Sequence, residues 1–293
     1  MKILVTGSDG FIGKNIPADE RIGRSVDFVN FESVYAAISS LSDIKCIVHC
    51  AGKHGSSIEM MADHTSYIRT NFLCDENLLR TAAIQRIPTV AMISSITCLP
   101  SNDKDVFDEE DLFIGNVNDT VLGYATSKRM TINLCRAYYK DFGMNAVPIV
   151  LGNCYGRYGK FHKDSTIIHK LIHDIYVAMQ RREDVYLSGD GNDVRTFLFA
   201  DDLGEILFDI LSQSREGNPV IVSSPQQVTI KEVVHLISKL MGYRGNIVFD
   251  GKAASPHKKK VAKSVVVDMS RFTYTPLETG IDRTINYFLK DRK

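Results

Sequence analysis

Short apolar runs alternate with amphipathic helical stretches, and the first run is closed by an evenly spaced trio of glycines. These two observations predict an α/β fold. The expected architecture is a Rossmann-type doubly wound parallel sheet over residues 1–155, rejoined by segments near 185–225. A third observation, the loosening of the pattern after about residue 155, predicts a smaller C-terminal α/β lobe built mostly from 156–293. With 293 residues, 44% of them hydrophobic, the chain can bury one large core or two modest ones.

The elements follow in order. Ile3-Leu4-Val5 is a wholly apolar run ended by glycine, as in a strand buried on both faces. A turn carrying Gly7, Gly10 and Gly13 comes next. Only Lys14 to Ser25 then separate it from Val26-Asp27-Phe28-Val29, and Pro17 falls where a helix should run. A full βαβ unit takes about 30 residues or more, so the first helix is short, or the second strand is reduced or missing. Phe31 to Leu41 reads as a helix, Cys46 to His49 as a buried strand, and Tyr67 to Arg86 as a long helix stopped by Pro88. Thr89 to Ser95 is a strand, Tyr124 to Phe142 a helix and Ala146 to Leu151 a strand. Beyond these, helices are expected over Ser165–Arg182, Asp201–Ser212 and Thr229–Met241. Short strands are expected near Val185–Leu187 and Thr196–Phe199, and a Lys-rich loop over Gly251–Lys263.

Composition excludes several classes. Lys plus Arg and Asp plus Glu number 35 each and cancel, so no global basic field points to nucleic acid or to a membrane surface. The run Lys258-Lys259-Lys260 reads as a solvated loop. No run of about 18 apolar residues occurs, and the residues after Met1 read as a core strand, not a leader; a cytoplasmic protein is expected. Cys46, Cys50, Cys74, Cys98, Cys135 and Cys154 form no C-x-x-C pair and are expected to be reduced thiols. His169 and His173 have a spacing that can hold a metal on a helix, but no acidic partner follows, and no metal is expected.

T-G-S-D-G-F-I-G, directly after the first strand, is a seat for a dinucleotide. Glycines at 7, 10 and 13 allow the tight turn, the approach of backbone to a pyrophosphate and the close packing of the helix, whose free N–H groups favour an anion. Asp9, Phe11 and Ile12 of the same string are assigned to the seat. Asp27 has two readings. It ends the second strand and holds the adenosine ribose, or, as the D-x-x-x-F-E-S context favours, it follows the third strand and lies by the adenine. Arg21 or Arg24 would meet a 2′-phosphate, pointing to NADP with NAD as the alternative; the competing reading makes both surface arginines.

Tyr124 and Lys128 are four apart on a helix and share a face. An ammonium there stabilises a phenolate, so the phenol is expected to ionise closer to neutrality and to serve as general acid or base. Ser95 ends a strand, and its hydroxyl can bond the same substrate oxygen. Together with the glycine turn, the three argue for redox chemistry on a carbinol or ketone.

At these residues the chain resembles the extended short-chain dehydrogenase/reductases, over nearly its whole length. The strings that carry the resemblance are T-G-S-D-G-F-I-G, H-C-A-G-K-H-G, Asn71, S-S-I-T-C-L-P, Y-A-T-S-K, G-N-C-Y-G and V-R-T-F-L-F-A-D-D-L. The resemblance implies cofactor contacts from Ala51, Gly52, Lys53 and Asn71 besides Tyr124 and Lys128. It implies substrate contacts from Thr97, Asn153 and Phe161, and a grip on a sugar-nucleotide pyrophosphate by Arg195, a role that a guanidinium fork suits. The competing role for Arg195 is an ion pair with Asp201 or Asp202. Within the family the chain is most similar to the fucose-synthase-like nucleotide-sugar epimerase/reductases, which use NADPH and commonly form homodimers through the two long helices.

Two departures matter. That branch places an epimerisation cysteine where Thr97 stands, with Cys98 one residue beyond and facing the other way if the segment is extended. Its epimerisation histidine falls on Thr166 or Ile167, with His162 out of register. The expectation is therefore an NAD(P)-dependent reductase of a nucleoside-diphosphate 4-keto-6-deoxyhexose without 3,5-epimerisation. The alternatives are a UDP-sugar C4 epimerase with bound NAD and a non-catalytic nucleotide-binding scaffold. A 4,6-dehydratase is disfavoured, because Ile96-Thr97 stand where that subclass carries an Asp-Glu pair.

Overall fold

The structure is a computed structural model that describes residues 1–213, 215–252, 260–290 and 292. β1 (Ile3–Thr6) leads into α1 (Phe11–Asn15), β2 (Glu20–Ile22), α2 (Phe31–Ser39), β3 (Cys46–His49), α3 (Ser57–Ala62), α4 (His64–Ile84) and β4 (Thr89–Ser95). After β5 (Val106–Phe107) come α5 (Leu122–Phe142), β6 (Asn145–Leu151), β7 (Cys154–Tyr155), α6 (Ile167–Arg181), β8 (Val185–Leu187), β9 (Val194–Thr196), β10 (Leu198–Phe199), α7 (Leu203–Leu211) and β11 (Val220–Val222). The chain closes with β12 (Gln227–Thr229), α8 (Ile230–Met241), β13 (Ile247–Phe249), β14 (Val261–Ala262) and α9 (Leu277–Lys290).

Six strands form one parallel sheet in the order β11-β6-β4-β3-β1-β2. Alternation along each strand sends neighbours to opposite faces. Leu4, Ile47, Val90, Met92 and Ala146 meet α2, α4 and α5 through Val34, Ile38, Leu78, Leu79 and Cys135. Val5, Val48, Ala91, Val147 and Ile149 meet Ile206, Leu207 and Ile210 of α7 on the other face. Both faces are covered, which is why the strands read as continuous apolar runs. A separate core gathers α6, α8 and α9 through Ile172, Ile175, Val233, Ile237, Ile281 and Phe288.

The first βαβ unit is compressed, and its residues say why. Proline cannot continue a helix and biases its predecessor to extended backbone; Ile16, ahead of Pro17, ends α1 at φ −94°, ψ 128°. Arg21 then folds back, donating to the Gly13 carbonyl at 2.9 Å and the Ile16 carbonyl at 2.6 Å. A cation on the last carbonyls stabilises a helix end, so Arg21 braces α1, a role the sequence, which points it to a 2′-phosphate, does not disclose. The second strand is reduced, not missing. No further strand stands between Ile22 and α2 among the described residues, so Asp27 follows a turn and neither ends the second strand nor follows a third. Replacing Arg21 by Gln is expected to lower stability by about 1.5–3 kcal/mol, the range for a hydrogen bond to a charged group. An unchanged urea midpoint would show that α1 stands without the brace.

Other differences are local. The strand expected over Thr196–Phe199 is split: β9 runs antiparallel to β12, and β10 runs parallel to β7. Within the expected Gly251–Lys263 loop, β14 pairs with β5; Lys258 and Lys259 lie outside the described residues. α3, β11 and α9 were not anticipated. α4 starts earlier than expected because Asp63 caps it, accepting from the Ser66 amide at 3.3 Å. At the β11 edge, the Ile221 amide donates to a Glu109 carboxylate oxygen at 2.9 Å.

Candidate active site

The glycine turn is shaped by contact. Gly7 has φ +64°, and a Cβ there would stand 2.4 Å from the Ala51 amide nitrogen. A Cβ on Gly13 would stand 2.5 Å from the Gly7 carbonyl oxygen. Only glycine lets the turn lie flat against the end of β3 and α1 pack on the turn. Gly10 is the N-cap of α1, and no side chain caps it, leaving that end to an anion. Asp9 ties the turn to the segment after β2, accepting from the Arg24 amide at 2.7 Å, while the Arg24 side chain stays exposed. Phe11 turns toward the C-terminal lobe, its ring 5.2 Å from that of His169. Ile12 packs on the core below the sheet. Asp27 accepts from the Val29 amide at 3.0 Å in its turn.

The three expected proton-transfer residues come together. Ser95, the last residue of β4, stands near enough for its hydroxyl to bear on the ionisation of the Tyr124 phenol, while its Oγ accepts from the Thr97 amide at 3.2 Å. Tyr124 is in the first turn of α5, where a Cβ on the preceding Gly123 would stand 2.2 Å from the His64 carbonyl oxygen; that close approach sets α5 on α4. Lys128 follows one turn on, its Nζ 5.8 Å from the centre of the Tyr124 ring and 2.9 Å from the Ile93 carbonyl. Tyr124 is 7% exposed and Lys128 6%.

Burial decides the protonation of the phenol. It raises the Tyr124 pKa above the ordinary tyrosine value, and Lys128 and Ser95 offset it only in part. The expected shift toward neutrality is thus reversed: the phenol keeps its proton, the state of a donor. Burial works to lower the Lys128 pKa, but Asp75 and Tyr124 outweigh it and the ammonium is held above its ordinary value.

Asn71 is fully buried and joins the surrounding pieces. Its Oδ1 accepts from the Lys53 amide at 2.7 Å; its Nδ2 donates to the Lys53 carbonyl at 3.2 Å and the Ser127 hydroxyl at 3.2 Å. The loop with Ala51, Gly52 and Lys53 is thereby bolted to α4 and α5. The Lys53 ammonium turns to the start of α4, donating to Ser66 at 2.7 Å and Asp63 at 3.2 Å.

The substrate-side residues are spread over more elements. Ile96–Cys98 form a 3₁₀ turn, not an extended segment. Cys98 is buried among Ile96, Leu99, Phe107 and Ile132, and burial pushes its thiol up to about 11. Thr97 keeps a hydroxyl with no hydrogen-bond partner. Asn153 donates to the Thr196 carbonyl at 3.1 Å. Phe161 packs against His169 and Phe288. Arg195 pairs with Asp193 at 3.1 Å, not with Asp201 or Asp202; Arg157 takes Asp201, and Thr275 takes Asp202. Thr166 is bonded to His169 at 2.8 Å; His169 also reaches the Gly156 carbonyl and serves packing.

Sequence reasoning missed three features. His49 and Asp75 are both buried, 3.4 Å apart, with Thr6 on one side at 2.7 Å and Thr131 on the other. Their spacing in the chain carries no signal. Lys260 is half-buried, and burial together with the Arg195 charge lowers its pKa; it was hidden in the lysine run. His54 stands in the quoted A-G-K-H-G string, and its ring lies 5.4 Å from that of Tyr124 at 84°.

Residues 17–223 match the NAD dependent epimerase/dehydratase family. The chain belongs to that family. As a member it is an NAD(P)-dependent enzyme of nucleotide-sugar epimerase/reductase chemistry. Similar proteins include a GDP-L-fucose synthase of Dictyostelium discoideum, 28% identical over 98% of this chain and 95% of that one. A GDP-L-colitose synthase of Yersinia pseudotuberculosis is 26% identical over 100% and 99%. Among solved structures, a GDP-L-fucose synthetase from Naegleria fowleri bound to NADP superposes with a TM-score of 0.88 at 22% identity, covering 99% of this chain and 93% of that one. This epimerase/dehydratase thus shares its fold with that structure. No helix among the described residues is long and apolar enough to cross a membrane.

Proposed function

We propose that this protein is an NADPH-dependent reductase of a GDP-linked 4-keto-6-deoxyhexose that acts without 3,5-epimerisation. The observation that carries the proposal is the meeting of Ser95, the buried Tyr124 phenol and Lys128, whose Nζ lies 5.8 Å from the centre of the phenol ring, with the phenol protonated and the ammonium charged. When bound, the dinucleotide supplies the hydride that reduces C4. Ser95 donates a hydrogen bond to the C4 carbonyl oxygen and polarises it. Tyr124 gives its proton to that oxygen as negative charge develops, and Lys128 stabilises the phenolate left behind. The residues fit the cofactor: the glycine cradle would be filled by any Cβ, the start of α1 is uncapped, and Asn71 fixes the loop beneath. Arg24 is the remaining cation for a 2′-phosphate. A cavity of about 480 Å3 lined by Val29, Thr65, Ser66, Arg69 and Thr70, beside the Asp27 turn, offers room for the adenine end.

The absence of epimerisation rests on Cys98, turned into the core with its thiol protonated, and on Thr166 in place of a histidine. The GDP portion rests on the relatives. Pairing of two copies through α4 and α5 belongs to the same reading and is checked by light scattering.

The test is NADPH oxidation with GDP-4-keto-6-deoxymannose, run in D2O. Turnover without deuterium at C3 and C5 of the product is expected; deuterium there would refute the epimerisation part, and no oxidation would refute the whole. Arg195→Ala is expected to raise KM for the sugar nucleotide about 10- to 100-fold, from the loss of charged hydrogen bonds, with a smaller effect on kcat. Equal KM values would remove Arg195 from the pyrophosphate.

A further inference from the structure

His54 occupies a position that the triad does not use. Its ring stands edge-on to Tyr124 at 5.4 Å and 84°, and the residue remains open to solvent. Its place is not free to drift: the Lys53 amide and carbonyl before it are both held by Asn71, which also holds Ser127 of α5. After it, a Cβ on Gly55 would stand 2.4 Å from the Tyr67 hydroxyl, so the loop is pressed against α4. One frame therefore carries both the imidazole and the phenol. The segment after β7 is within electrostatic reach: the charges of Lys160 and His162 bear on Glu59 of α3, and that of Lys160 on His54 itself. The imidazole thus stands beside the catalytic tyrosine, within reach of the charge of Lys160 from the segment after β7, and a sugar ring presented to Tyr124 would meet it.

We propose that His54 is a specificity-determining residue that hydrogen-bonds a sugar hydroxyl on a carbon next to the one reduced. This rests on the reductase reading above. Neutral imidazole offers one donor and one acceptor, the pairing that a hydroxyl satisfies. Although part of the residue reaches solvent, the protein packed round the ring, with Lys128 of α5 and Lys160, holds it below the usual imidazole range, against the opposing pull of Glu59. It is therefore neutral at pH 7, and gains charge only in acid, where it loses its acceptor.

Two variants and two probes test this. His54→Phe keeps a ring against Tyr124 and removes the hydrogen bonds; His54→Asn keeps a donor and an acceptor. With GDP-4-keto-6-deoxymannose and NADPH, the Phe variant is expected to raise KM about tenfold, the loss of one well-placed hydrogen bond, with NADPH affinity unchanged. The Asn variant is expected to recover most of that. The wild-type kcat/KM should fall below the usual imidazole range, and both variants should lack that limb. A Phe variant with wild-type KM and the same acid limb overturns the proposal. Calorimetric titration with GDP-mannose separates the two levels of inference. A wild type that binds GDP-mannose but does not reduce the keto sugar overturns the reductase reading, and the affinity ratio of wild type to His54→Phe then decides His54. Binding of neither sugar nucleotide overturns both.

Discussion

Tyr124→Phe is expected to cut turnover by about 10²- to 10⁴-fold, the range for a lost general acid, while NADPH affinity and fold persist. The phenyl ring still fills the pocket between Tyr67 and His54; only the hydroxyl and its proton go. The pH profile gives a second reading of the same residue. Because burial raises the Tyr124 pKa, the wild-type reductive rate at saturating substrate should hold through neutrality and fall in alkali, above the ordinary tyrosine range of about 10. Stopped-flow measurement of NADPH oxidation across pH checks both. A variant within tenfold of wild type would remove Tyr124 from proton transfer.

Asp75→Asn is expected to destabilise the protein by about 3–5 kcal/mol, as when one partner of a buried charged group is removed. Asp75 is 2% exposed. Burial opposes its ionisation, but Lys128, His49 and Thr131 outweigh burial and hold its carboxyl below the ordinary value. Neutralising it leaves Lys128 buried without its strongest opposite charge. The sign with pH follows from the depressed value. The contribution of Asp75 is present above the unfolded carboxylate pKa of about 3.9 and is lost as pH falls through the folded value. Wild type should therefore lose stability in acid by a component that the Asn variant lacks. Parallel urea titrations at pH 7 and pH 3 decide it; equal acid losses in the two proteins would mean that Asp75 is not ionised in the fold.

Much of this architecture was written locally. The β1 run, the glycine spacing, the Tyr-Lys spacing on α5 and the amphipathic α8 each follow from a few adjacent residues, and each stands close to where it was expected. The compressed first unit was legible in Pro17, but the role of Arg21 was not. Its partners are carbonyls of α1, and backbone groups leave no mark in sequence. The His49–Asp75 pair joins β3 to α4 and exists only once the sheet has formed. Even the charge state of Tyr124 could not be read from Lys128 alone, because it depends on the mass of protein packed around both. α9 is a different case: Ile281, Ile285 and Phe288 share one buried face, and their spacing was there to be counted.

The two margins of the parallel sheet bear on whether a strand of another molecule could extend it. β2 offers three residues at one margin, of which Glu20 is tied to Lys2 and Arg21 to α1. At the other, the Ile221 amide is already occupied by Glu109. A strand from a neighbouring molecule would find little backbone to extend at either side. Ribbon-like continuation of the sheet, the common route to insoluble aggregates, is blunted at both ends.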